Sequence, residues 1–193
     1  MKKIVLFASG NGTNAENIMN YFSQTVEVKV VAVFSNNEQA KVLERASKFE
    51  VPTIVFSKAD LNFDVVLNKL LEIQPDLNVL AGFLWKFPAH IIAQFPNKVI
   101  NIHPALLPNY GGKGMYGMHV HQAVLANKEK ETGITIHYVN EHFDEGEFIF
   151  QSQANIENCT SAEEIAKKVH ELEMKHFPSI IEDLLRKNNF SNR

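Results

Sequence analysis

The sequence predicts a doubly wound α/β fold: a mostly parallel sheet with helices on both faces and an antiparallel strand pair in the C-terminal half. Three observations carry that prediction. In the first half, short β-branched apolar runs alternate with stretches of helical periodicity, the rhythm of right-handed βαβ units. Those runs are apolar at nearly every position, as strands buried on both faces must be. After Asn127 the rhythm changes to two strand-like runs joined by a short acidic turn, which suits an antiparallel pair.

In chain order, KIVLFA (Lys3–Ala8) is the first strand; SGNGTN interrupts it, and Asn14–Phe22 reads as a helix. KVVAVF (Lys29–Phe34) follows, then a helix over Glu38–Phe49 with Ala40, Leu43 and Ala46 among charges. TIVF (Thr53–Phe56) is the third strand. Leu61, Val65, Leu67, Leu70 and Leu71 predict one helix over Asp60–Ile73. LNVLAG (Leu77–Gly82) is a strand, Pro88–Phe95 a helix with proline at its start, and KVIN (Lys98–Asn101) the fifth strand. Met118–Asn127 reads as a helix, and Thr132–Asn140 and Glu147–Ile156 as strands around EHFDEG. Ser161, three residues before Glu164, forms a capping-box pattern that opens a last helix to about Leu185. There is no repeat, low-complexity tract or linker, so residues 1–193 are expected to form a single domain.

Composition excludes several classes. At 45% hydrophobic and 21% charged, the chain can bury a core and does not read as disordered. A net charge of −3 argues against nucleic acid as the main partner. No apolar run approaches the ~18–20 residues of a membrane span, and the signal-like MKKIVLF stops at Ser9-Gly10 without a cleavage segment. The single cysteine, Cys159, leaves no internal disulfide and fits a cytoplasmic location.

Three stretches carry candidate chemistry. SGNGTN (Ser9–Asn14) lies between a strand and a helix, where backbone N–H groups and the helix dipole can hold an anion. It lacks the full dinucleotide fingerprint and the P-loop lysine, and a tight turn capped by Asn or Thr fits it equally. Asn101 and His103 share one direction if their strand extends that far; together they could stabilise an oxyanion and move a proton, or simply close a polar strand end. The acidic turn Glu141–Glu147 could bring a carboxylate to His103, orient the ring and favour its protonated form, or be a solvated hairpin. His119-x-His121 invites a metal reading, but residues two apart on a helix do not share a face and no zinc-ligand spacing is present, so no metal is expected. His137 reads as a core residue inside a strand. Phe83, Trp85 and Phe87 could line a pocket for a flat ring or serve the core.

Taken together, SGNGTN, LAGFLWKFP (Leu80–Pro88), NIHPALLP (Asn101–Pro108), HVHQAVL and FDEG (Phe143–Gly146) resemble the glycinamide ribonucleotide transformylases, folate-dependent formyltransferases of purine synthesis. The resemblance runs from about Lys3 to Pro178 and implies a Rossmann-like sheet with added strands. It implies that Asn101, His103 and Asp144 are the catalytic trio. Gly12, Thr13 and Asn14 would hold the substrate phosphate, and Glu173 would meet the ribose. Leu84, Trp85, Lys86 and Phe87, with Asn101, Asn140, Glu141 and Asp144, would enclose the pterin of 10-formyltetrahydrofolate, the co-substrate. Small molecules are the implied partners, and the assembly is a monomer or a homodimer.

By the same resemblance, Asp144 would raise the pKa of His103 and the protonated ring would supply a donor or the proton. The family expects an arginine where Trp85 or Lys86 stands, and a shorter loop than NYGGKGMYGMH. That glycine-rich segment reads as a lid, with Lys113–Tyr116 expected to be mobile beside the substrate channel. Three rivals differ in acceptor or class. Methionyl-tRNA formyltransferase would carry a further RNA-binding domain, and formyltetrahydrofolate hydrolase a regulatory domain ahead of the catalytic one. The third is a non-enzymatic nucleotide or folate sensor.

Overall fold

The computed structural model describes residues 1–187. Its elements run β1 (Lys2–Phe7), α1 (Thr13–Phe22), β2 (Val28–Ser35), α2 (Lys41–Ser47), β3 (Thr53–Val55), α3 (Lys58–Asn62) and α4 (Val65–Ile73). Then come β4 (Leu77–Leu80), α5 (Ala89–Gln94), β5 (Val99–His103), α6 (Met118–Ala126), β6 (Glu131–Tyr138), β7 (Phe148–Asn155) and α7 (Ala162–Lys187). One sheet has the order β3-β2-β1-β4-β5-β6-β7. It is parallel from β3 to β5, and β6 and β7 each pair antiparallel to the strand before them. The chain winds outward from β1 in both directions, so the loops after β1 and β4 part at a switch point, where α/β sheets open a ligand crevice.

Strand periodicity sorts the core onto two faces. On β1, Ile4 and Leu6 pack with α1 and α7, while Val5 and Phe7 turn to the layer of α3, α4 and α5. Phe7 is the hub of the second layer: its ring centroid lies 4.9 Å from Phe34, 5.7 Å from Phe83 and 5.0 Å from Phe87. Complete burial of such a ring contributes about 1.5–3 kcal/mol, with ~0.5–1.5 more for each well-oriented aromatic pair. Helix α7 opens at the expected cap, with Glu164 N–H donating to Ser161 Oγ (3.2 Å) and Thr160 N–H to Glu164 Oε2 (2.6 Å). Its buried stripe, from Ile165 and Val169 to Phe177 and Ile181, lays it against α1 and α6 and carries Glu173 over the sheet edge. Among the described residues no helix is long and apolar enough to cross a membrane.

Two elements differ from expectation. The helix predicted over Asp60–Ile73 is two helices. A complete capping box between Ser57 and Asp60 starts α3 early, and Asp64 at φ 59° breaks the axis. Leu61 and Val66, both buried in the aromatic layer, are five residues apart and cannot share one face of a single helix. The break lets each reach the core and leaves Phe63 76% exposed. The second difference is β5, which continues to His103 because β6 pairs with it from Ile100↔Tyr138 to His103↔Thr135.

Candidate active site

A cleft of about 800 Å³ lies beyond the carboxyl ends of β1, β4 and β5. Because β5 reaches His103, Asn101 and His103 project to the same side. The antiparallel register sets His137 opposite Asn101 and Thr135 opposite His103. Thr135 is buried and fixes the chain leaving His103. Its hydroxyl donates to the Ala105 carbonyl (2.7 Å) and accepts from Leu107 N–H (3.0 Å) and the Gln151 amide (2.8 Å). Asp144 enters from the β6–β7 turn with φ 57°, a left-handed conformation that aspartate tolerates. The turn also demands Gly146, where a Cβ would sit 1.6 Å from the Tyr138 carbonyl.

These side chains converge. Asp144 Oδ2 is 3.5 Å from His103 Nδ1 and accepts from Gly112 N–H at 2.9 Å, while Oδ1 is 3.6 Å from His137 Nε2. The Asn101 amide nitrogen faces His137 Nε2 (3.2 Å) and Asp144 Oδ1 (3.5 Å), two acceptors that orient it nitrogen-inward. His137 Nδ1 meets the Tyr138 carbonyl at 2.8 Å, and His103 Nε2 meets the Tyr110 carbonyl at 2.7 Å; a ring nitrogen facing a carbonyl must carry the proton. His137, expected as a core residue, is indeed buried, but it is bonded into the trio. Its signal was available in the two-residue alternation of β6; what was missing was the register.

Electrostatics overturn one expectation. Asp144 does pull the His103 pKa upward, as does the Tyr110 carbonyl, but burial outweighs both and the pKa is lowered. The ring, 3% exposed, therefore rests neutral at neutral pH rather than protonated. For Asp144 the balance goes the other way. Burial would raise its pKa, but the neighbouring His137 and His103 rings and Gly112 N–H together hold it below the usual value. The resting site is an ionised carboxylate beside a neutral imidazole.

At one end of the cleft lies the loop after β1. Asn11, Thr13 and Asn14 line it and Gly12 does not. Gly12 instead caps α1 at φ 73°, where a Cβ would fall 2.4 Å from Val42. Arg45 braces the loop, donating to the Asn11 backbone oxygen (2.8 Å) and side chain (3.0 Å) and pairing with Glu16. Asn14 Nδ2 donates to Glu173 Oε2 at 2.9 Å, and His170 Nδ1 lies 3.2 Å from that same oxygen. The loop and Glu173, far apart in sequence, thus form one polar wall. His121 also lines the cleft, 5% exposed and with no hydrogen-bond partner for Nδ1 among the described residues. His119 is exposed, set edge-on to Tyr116, so the two histidines diverge as their spacing requires.

The other end is flatter. Leu84, Trp85, Lys86, Phe87 and Asn140 line it, and Leu84 N–H donates to Ser9 Oγ at 2.9 Å, tying this segment to the loop after β1. Phe83 and Phe87 serve mainly the core, whereas Trp85 is half-buried with Lys58 Nζ 4.7 Å from its ring. Glu141 is exposed, pairs with His142 (3.5 Å) and does not line the cleft. Gly112 to Gly117 form a third wall, so Lys113–Tyr116 does lie beside the channel.

The formyl transferase family model matches residues 2–181. A chloroplastic phosphoribosylglycinamide formyltransferase of Arabidopsis thaliana is 36% identical over 187 residues, 93% of this chain and 64% of that protein. A second chloroplastic relative, from Vigna unguiculata, is 33% identical over 95% of this chain and 61% of its own length. The chain thus spans under two thirds of these two relatives. The Bacillus subtilis (strain 168) phosphoribosylglycinamide formyltransferase is 34% identical over 98% of this chain and 97% of its own. The crystal structure of glycinamide ribonucleotide transformylase 1 from Geobacillus kaustophilus superposes with a TM-score of 0.87 at 31% identity, covering 96% of this chain and 99% of that one.

Proposed function

The chain belongs to the formyl transferase family, and we propose that it moves the formyl group of 10-formyltetrahydrofolate to the amine of glycinamide ribonucleotide. The observation that carries this reading is the convergence of Asn101, His103 and Asp144 in a cleft that is also lined by the polar wall of Asn14 and Glu173 and by the flatter Leu84–Phe87 segment. Backbone groups of Thr13 and Asn14 at the start of α1 suit a phosphate, and Glu173 is an acceptor for ribose hydroxyls. Leu84, Trp85 and Asn140 offer a surface and backbone groups for a pterin. All of this is read as one domain.

In the proposed reaction the neutral amine attacks the formyl carbon to give a tetrahedral intermediate. The Asn101 amide donates to the developing oxyanion. Its long 3.5 Å contact to Asp144 is the one that yields. Negative charge arising beside His103 raises the affinity of the neutral ring for a proton. The Asp144–His103 pair takes the proton that the attacking nitrogen must lose, through water, and returns it to N10 as the C–N10 bond breaks. Atoms balance: the amine nitrogen gains a formyl group and loses a proton, and N10 does the reverse. No covalent enzyme intermediate is needed.

The test is folate release with and without glycinamide ribonucleotide. Release only with the amine supports the transferase, release without it supports the hydrolase, and none with either defeats both. Asn101→Ala should lose ~10²–10³ in turnover, the usual cost of one oxyanion donor.

A further inference from the structure

The segment leaving His103 returns over the catalytic pair at Tyr110, a residue outside the trio. Tyr110 has φ 58°, a left-handed conformation uncommon for a bulky side chain. This conformation aims its carbonyl at His103 Nε2, 2.7 Å away. Such a conformation persists only where its surroundings hold it, and here they do. The phenol donates to Glu129 Oε1 at 2.6 Å and accepts from Asn127 Nδ2 at 2.8 Å. Asn127 is itself anchored at the C-terminus of α6, its N–H on the Ala123 carbonyl at 3.0 Å. Burial and the Glu129 carboxylate keep the phenol pKa above its ordinary value, so it remains a donor. Two residues on, Gly112 N–H holds Asp144 at 2.9 Å. One strand of loop therefore grips both members of the pair.

We propose that Tyr110 is a positioning residue that fixes the His103 tautomer: its clamped carbonyl holds the proton on Nε2 and leaves Nδ1 as the nitrogen that exchanges protons with Asp144 and the substrate. Without the clamp the preference reverses, because the Asp144 carboxylate 3.5 Å from Nδ1 is the stronger acceptor and draws the proton to that side. The other charged or titratable groups around the ring are His137 on β6, His121 on α6 and Glu173 on α7. All act at longer range than the two acceptors that flank it. The inference rests on the formyl-transfer reading only for its kinetic consequence; the tautomer itself is a property of the free protein.

The experiment is nitrogen-15 spectroscopy of the histidine side chains in the substrate-free protein, with Tyr110→Phe beside wild type. Wild type should show His103 protonated on Nε2. Tyr110→Phe should move population to the Nδ1 form and lower kcat about tenfold, as for one lost oriented hydrogen bond, with KM changed less than about twofold. Glu129→Gln, which keeps an acceptor for the phenol, should retain the wild-type spectrum. The double variant Asn127→Ala, Glu129→Ala should mimic Tyr110→Phe and replaces it if that variant does not fold. A wild-type tautomer in both Tyr110→Phe and the double variant would overturn the proposal. If the spectra shift but no formyl transfer is found in wild type, the clamp stands and the proposed function does not.

Discussion

Replacing Asp144 with asparagine keeps the shape of the side chain and removes its charge. The carboxylate lies 3.5 Å from His103 Nδ1, and the two side chains are 11% and 4% exposed. At that distance, with an effective dielectric of ~20, unit charges attract by about 4–5 kcal/mol. In the resting site this attraction is unused, since burial keeps His103 neutral; it appears only as the ring takes up a proton. Asp144→Asn should therefore leave substrate binding nearly unchanged and remove about 4 kcal/mol from the charged transition state, a fall of roughly 10³ in kcat. The new amide can still accept from Gly112 N–H, now at 2.9 Å from Oδ2, so the turn should hold. Unfolding free energy should change by less than about 2 kcal/mol. Steady-state turnover with both substrates, with denaturant unfolding as control, measures both. A folded Asp144→Asn protein that keeps more than about a tenth of wild-type kcat would refute the reasoning.

Two further outcomes follow from the cleft. His103 and His121 both have pKa values pushed below 6.5, first by burial. The unfolded chain then binds protons at higher pH than the native one, so stability rises with pH across the window between the lowered values and 6.5 and is lost as pH falls through it. Denaturant unfolding between pH 5 and 7.5 should show that positive slope, and His121→Leu should reduce it by up to one proton; an unchanged slope would contradict the burial of an unpartnered ring. Glu173→Ala removes the acceptor of Asn14 and His170. It should raise KM for glycinamide ribonucleotide by about 10- to 100-fold, the range for a lost hydrogen bond to a charged group, and leave KM for the folate alone. An equal rise for both substrates would place Glu173 elsewhere in the reaction.

What could be read from the sequence divides along a physical line. Features set by local chemistry were legible: the glycine loop before α1, the Ser161 cap of α7, and Asn101 and His103 on one face by strand alternation. Features set by pairing were not. His137 joins the site because β6 runs antiparallel to β5 in the register Asn101↔His137, and no spacing within one segment encodes a register. Asp144 reaches His103 through a turn that depends on Gly146 having no Cβ, which the letters FDEG suggest without measuring. The Asp60–Ile73 segment shows the same limit: Leu61, Val65, Leu67, Leu70 and Leu71 suggest one helical face, but the buried pair is Leu61 and Val66, which fall off a single stripe. The pKa of His103 escapes the sequence for the opposite reason. The neighbouring charge could be guessed from the motif, but the burial that outweighs it belongs to the finished fold.

The same opposition bears on how such a site distinguishes an amine from water. In the proposed reaction Asn101, His103 and Asp144 would respond to an oxyanion whichever nucleophile creates it, so the trio alone would hold no preference. The preference has to come from the amine's concentration at the formyl carbon, and that depends on the far wall. There Asn14 and Glu173 are locked together and His170 joins the same carboxylate oxygen, so under the proposed function a ribose phosphate seated on them would place its amine a fixed span away. Orienting a nucleophile in this way is worth effective molarities far above the 55 M of water. Damage to that wall should therefore cost transfer without creating comparable hydrolysis. By contrast, damage to Tyr110 or Asp144 should slow any reaction that passes through a charged His103.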